Sequence, residues 1–122
     1  MILGRTAATR VWVATFAVDM RKGFDGLAAL VEASGLDLYS GHLFVFLSRR
    51  RDRVKVLMWE RGGLALYQKR LEKGQFCQVA VRSDQRMLTL QPDELAMLLD
   101  GVDLNAVRRT RLWEPNRSEE RR

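Results

Sequence analysis

Apolar and polar positions follow two rhythms along this chain. Residues 10 to 16, RVWVATF, are rich in β-formers and begin a strand. A helical rhythm follows, because Met20, Phe24, Leu27, Ala28 and Val31 fall on one stripe of a helix. Asp19 is the expected N-cap and Gly35 the expected end. HLFVFL, residues 42 to 47, is a short continuous apolar run, the pattern of a strand covered on both faces. VKVLMWE then alternates, with Val54, Val56 and Met58 on one face and Lys55, Leu57 and Trp59 on the other. Arg61-Gly62-Gly63 is a tight turn, and LALYQKRL resumes the strand pattern through residue 71, which makes a β-hairpin.

After a further turn at Lys73-Gly74, FCQVAV and MLTL (87 to 90) are two shorter strand candidates. Gln91-Pro92-Asp93-Glu94 is a helix start, with Pro at the first helical position and acids in the first turn. That helix carries Leu95, Leu98 and Leu99 on one face and stops near Asp100-Gly101. The expected fold is α+β: a small antiparallel sheet, a meander, with two helices packed on one side. One compact domain is expected over residues 1–107, followed by a basic, flexible tail over 108–122.

The stretch DMRKGFDG, residues 19 to 26, departs from these rules. If the helix starts at Asp19, Arg21 and Lys22 lie at the positive end of its dipole. Gly23 and Gly26 then sit in helix interior, each costing up to ~1 kcal/mol relative to Ala. Cations and bare backbone together suggest an anion site. Asp19 and Asp25 could suggest a metal-dependent nuclease, but six-residue spacing puts them on nearly opposite sides of a helix. Arg21 and Asp25, four apart, account for each other as an ordinary ion pair.

Composition sharpens the choice of partner. The 122 residues carry a formal net charge of +6, which favours anionic partners such as DNA, RNA, acidic proteins or a membrane surface. A hydrophobic share of 47% with 30% charged residues describes a soluble globular chain large enough for a modest core. Cys77 and His42 are each the sole residue of their type, so Cys-based zinc sites are ruled out within one chain. His42, at the mouth of a strand, is better read as structural than as catalytic. No apolar run reaches membrane-span length and no leader-type segment opens the chain, so a cytoplasmic setting is expected. No Walker pattern is present, and no cofactor is expected.

The charge is concentrated. SRRRDRVK places Arg49, Arg50, Arg51, Arg53 and Lys55 at one end of the sheet, where arginine forks match phosphate. A solvated loop that protects a sheet edge would carry the same charges. Lys69 and Arg70 alternate with Trp59 and Tyr67, which would suit base stacking beside cations if those rings were not core.

The stretches DMRKGFDGLAALV (19 to 31), SGHLFVF (40 to 46) and RRRDRVKVLMWERGGLALYQKRLEKGQF (49 to 76), with LTLQPDELAMLLDGVDL (88 to 104), carry a resemblance. The chain resembles the small accessory proteins, often called TnpB or Orf2-like, of the bacterial insertion-sequence family numbered sixty-six. Members often carry a second Trp beside the position of Trp59, where this chain has Met58. The resemblance implies a protein encoded between a small regulator-like protein and a DDE-type transposase, and needed for efficient transposition. It brings no catalytic residues with it. The expectation is a non-enzymatic accessory factor that contacts DNA through Arg21, Lys22, Arg49, Arg50, Arg51, Arg53, Lys55, Lys69 and Arg70. The alternative is a protein–protein adaptor that docks on the element's transposase or its companion accessory protein.

Overall fold

A computed structural model of the chain describes residues 9–77 and 85–101. Strand β1 (Val11–Ala14) leads into helix α1 (Phe24–Ala33), a 3-10 turn (Leu38–Ser40) and strand β2 (Leu43–Leu47). Strands β3 (Arg53–Glu60) and β4 (Gly63–Arg70) form the hairpin, and strand β5 (Met87–Leu90) precedes helix α2 (Pro92–Leu99). The five strands lie in the order β4-β3-β2-β1-β5. The fold is α+β, and the sheet is mostly antiparallel. Only β1 and β2 run parallel, with Trp12 opposite Phe44, because α1 forms the crossover between them.

Each face of this sheet has its own core, because successive strand residues point to opposite sides. Val11, Val13, Leu43, Val45, Val54, Val56 and Met58 pack with Leu95 and Leu98 of α2. Ala14, Phe44, Phe46 and Leu57 pack with Leu27 and Val31 of α1. The helices therefore cover opposite faces, not one side as the meander pattern suggested. The parallel crossover returns α1 over one face, and the antiparallel β5 delivers α2 to the other. All five residues of β2 are buried, as expected of a strand covered on both faces.

The hairpin turns on Arg61 and Gly62, at φ of 51° and 84°. Two successive left-handed residues are the geometry that matches strand twist in a two-residue loop. Gly63 accordingly belongs to β4, and the ladder sets Arg53 opposite Arg70 and Trp59 opposite Leu64. Tyr67 pairs with Val56, so it lies on the opposite face from Trp59. The two rings share the hairpin but form no stacking surface. Trp59 instead meets Tyr39 edge-on, with ring centroids 4.9 Å apart and an interplanar angle of 83°.

Helix α1 starts at Gly23, four residues later than the sequence pattern suggested. Its C-terminus closes as a Schellman motif, in which Gly35 N–H donates to Glu32 O and Leu36 N–H to Val31 O. Helix α2 has Pro92 at its start and Asp93 and Glu94 in its first turn, as the Gln-Pro-Asp-Glu start suggested, and the Gln91 N–H also donates to the Glu94 carboxylate at 2.8 Å, an arm of a capping box. Phe76 and Cys77 are buried but belong to no strand, and the rest of FCQVAV lies outside the described residues. The 108–122 segment, read as a tail, also lies outside them.

Candidate functional site

The site begins with the turn that precedes α1. Asp19 does not cap the helix. Its carboxylate accepts from the Arg21 backbone N–H at 2.9 Å, and its carbonyl accepts from Lys22 N–H at 3.1 Å. The Arg21 guanidinium also folds back on Asp19, Nη2 to Oδ2 at 2.8 Å, with Nε bonded to both oxygens. Asp25 is therefore not the partner of Arg21. A two-residue Asx turn brings Asp19 closer than a helical spacing could. The guanidinium holds the Asp19 carboxyl at about 2, below the usual 3.8, mainly through the side-chain bond and then the backbone bond from Arg21.

The conflict with the helix dipole disappears with this geometry. Arg21 and Lys22 lie before the helix, and Asp25 is the charge in its first turn, where an anion is favoured. Gly26 lies under the Lys22 stem, since a Cβ there would stand 3.2 Å from Lys22 Cβ and Cγ. The whole turn is then fastened to the sheet. Lys55 Nζ donates to Met20 O at 2.8 Å and to Lys22 O at 2.7 Å.

The Arg-rich loop between β2 and β3 is equally well defined. Ser48 and Arg53 close it through Ser48 N–H to Arg53 O at 3.0 Å, and Arg51 N–H donates to Ser48 O at 2.9 Å. Ser48 Oγ accepts from Arg53 N–H and donates to Asp52 Oδ1. Arg51 is left-handed, at φ 58°, and half-buried against the segment around Gln75. Phe76 N–H donates to Arg51 O at 2.7 Å, and Gln75 Nε2 to Arg50 O at 2.8 Å. Arg49, Arg50 and Arg53 point to solvent, with no side-chain partner among the described residues.

The two basic stretches thus become neighbours. A groove of about 410 Å³ at the end of the sheet is lined by Met20, Arg53, Val54, Lys55, Gln68, Lys69, Arg70 and Glu72. A second hollow of about 330 Å³ takes in Val18, Met20, Arg49, Arg50, Asp52 and Arg53. Both share Met20 and Arg53, so the two hollows adjoin and together make up a channel. Met20, Gln68, Asp52 and Glu72 belong to this site but were missed by sequence reasoning, and no spacing signal could have found them.

The expected basic residues divide into two groups. Arg49, Arg50, Arg53 and Arg70 line the channel with exposed side chains, and Arg21 and Lys22 stand exposed on the turn above Met20. Lys55, Lys69 and Arg51 are committed to the fold. Lys69 Nζ donates to Leu99 O at 2.7 Å, which satisfies a carbonyl at the C-terminus of α2 on the other face of the sheet. Arg70 meets Glu72 at 3.3 Å in solvent. His42 Nδ1 accepts from Arg10 N–H at 3.0 Å, a structural role. Among the described residues no group of three or more His, Cys, Asp or Glu could hold a metal ion, and no helix is long and apolar enough to cross a membrane.

A family model described as IS66 Orf2 like protein matches residues 9–109, a span that includes every described element. The chain belongs to the IS66 Orf2-like family. As a member it is an accessory protein of insertion-sequence transposition. Two proteins of Sinorhizobium fredii (strain NBRC 101917 / NGR234) are similar to it over most of their length. "Uncharacterized protein y4jC" is 36% identical over 117 residues, which cover 95% of this chain and 98% of that protein. "Uncharacterized protein y4hO" is 37% identical over 109 residues, 88% of this chain and 91% of that protein. No solved structure matches the chain.

Proposed function

We propose that this IS66 Orf2-like protein acts in transposition without catalysing a reaction, by holding DNA against the basic end of its sheet. Arg49, Arg50, Arg53 and Arg70 would contact the sugar–phosphate backbone, with Arg21 and Lys22 beside them. One observation carries the reading: Lys55 fastens the 19–22 turn to β3, and Met20 of that turn shares a hollow with Arg49, Arg50 and Arg53 of the Arg-rich loop. Contacts of this kind are salt-dependent and largely blind to sequence.

DNA binding measured across a salt series tests it. Arg49→Ala with Arg50→Ala is the suitable variant, because both side chains are exposed. Arg51 is unsuitable, since its substitution would disturb the loop itself. The expected result is weaker binding and a salt slope shallower by about two. No binding at low salt, or an unchanged slope, sinks the proposal.

A second reading, docking on the element's transposase, has a separate support. Phe24 and Tyr39 are large apolar side chains left 46% and 59% exposed. Co-purification with the transposase in the absence of DNA, lost on Phe24→Ser, is the result that would favour it.

A further inference from the structure

Arg53 and Arg70 are directly opposed partners in the β3–β4 ladder. Their side chains therefore leave the sheet side by side, from Cβ atoms ~5 Å apart. Like charges placed directly opposite each other destabilise a sheet. Little here relieves that repulsion. Arg53 has no side-chain partner among the described residues, and Arg70 meets Glu72 only at 3.3 Å, with side chains 63% and 80% exposed. A local rule broken with one exposed carboxylate, Glu72, as its compensation is what a binding site looks like.

Arg53 lines both hollows and Arg70 the larger one, while Arg49 and Arg50 line the other. Among the described residues no aromatic side chain lines either hollow. Trp59 is engaged edge-on with Tyr39, and Tyr67 packs into the core on the other face of the sheet. Proteins that hold single strands need rings on which unstacked bases can lie. Arginine forks without rings beside them instead suit a backbone whose bases stay stacked within a duplex.

We infer that Arg53 and Arg70 clamp one backbone phosphate between them, and that the channel follows one strand of duplex DNA in preference to single-stranded DNA. This deepens the DNA-contact reading and rests on it. The two guanidiniums share one phosphate, so their contributions to binding are not independent.

Anisotropy with a labelled duplex and a single strand of equal length, over a salt series, tests the inference. The duplex is expected to bind several-fold tighter. Arg53→Ala and Arg70→Ala should each reduce the salt slope, and the double variant should lower it by about one in total, the signature of a single phosphate. The double lysine variant, Arg53→Lys with Arg70→Lys, should keep the slope but bind more weakly, because it retains charge and loses the forks.

A single strand bound as tightly as the duplex overturns the inference. So does a slope unchanged in the double alanine variant, or equal competition by polyglutamate, which would point to an acidic protein. Failure of the wild-type chain to bind either DNA at low salt sinks the DNA-contact reading itself. Circular dichroism of each variant establishes that the fold is intact, and both substituted side chains are exposed.

Discussion

Lys55 and Lys22 lie 33 residues apart, yet the ammonium of one donates to the backbone carbonyl of the other at 2.7 Å. The same ammonium reaches Met20 O at 2.8 Å. Lys55 thus organises the basic channel with its ammonium held on two carbonyls of the turn.

Replacing Lys55 by Met keeps the aliphatic stem and removes both bonds. Bonds from a charged donor are worth ~1.5–3 kcal/mol, less where water reaches them, so a loss of about 1–2 kcal/mol is expected. Thermal unfolding should report it as a fall of several degrees in Tm, since ~1 kcal/mol corresponds to roughly 4–8 °C in a domain of this size class. An unchanged Tm would mean that the turn is held by other contacts.

The Asp19–Arg21 pair makes a pH prediction. The Asp19 carboxyl sits at about 2 in the folded chain against 3.8 ordinarily. A depressed value means that the pair's contribution is fully present above the ordinary carboxylate range and is lost as pH falls through about 2. A carboxyl-carbon titration by NMR should place the Asp19 midpoint near 2. Arg21→Ala should return it towards the ordinary value, and Asp19→Asn should remove this part of the acid dependence of stability.

Gly26→Ala would usually gain up to ~1 kcal/mol in a helix. Here the new Cβ would meet Lys22 Cβ and Cγ at 3.2 Å, atoms close to the backbone of a turn that Lys55 already fixes. The expected outcome is no gain, or a loss of about 0.5–1 kcal/mol in denaturant unfolding. Adding Lys22→Ala should recover part of it by removing Cγ. A plain stabilisation by Gly26→Ala would contradict the packing described.

Arg61 occupies a left-handed position in an exposed two-residue turn. Asn followed by Gly is the preferred pair for such a turn. Arg61→Asn should therefore stabilise the chain by about 0.5–1 kcal/mol, seen as a higher denaturant midpoint at constant slope. Because Arg61 lies at the far end of the hairpin from the channel, DNA affinity should be unchanged.

Much of this architecture is written locally. The buried run 42 to 47, the hairpin around Arg61-Gly62, the Gly35 stop and the Gln91-Pro92 start depend on neighbours within a few residues. Burial period, turn chemistry and capping made each visible as a pattern. The family was visible for the same reason, since its signature lies in continuous stretches.

The channel was not visible in this way. A helix beginning at Asp19 broke two local rules, the dipole and the interior glycines Gly23 and Gly26, and those violations were the clue to the turn. With the helix capped at Gly23, the Met20 and Lys22 carbonyls accept from a lysine on a strand remote in sequence. The hairpin register shows the same dependence. A turn on Gly62-Gly63 would set Arg53 opposite Glu72, a simple ion pair, whereas the turn on Arg61-Gly62 sets it opposite Arg70.

Read along the chain, then, the residues specify the α+β class, the elements, the family and the presence of concentrated positive charge. Which cations are spent inside the fold and which face outward was decided by the assembled sheet. Arg21 and Arg70 find a carboxylate two residues away, but Lys55, Lys69 and Arg51 find their partners only when the chain closes on itself, across 33, 30 and 24 residues. Arg49, Arg50 and Arg53 find none among the described residues, and that difference is what turns a basic sequence into a basic site.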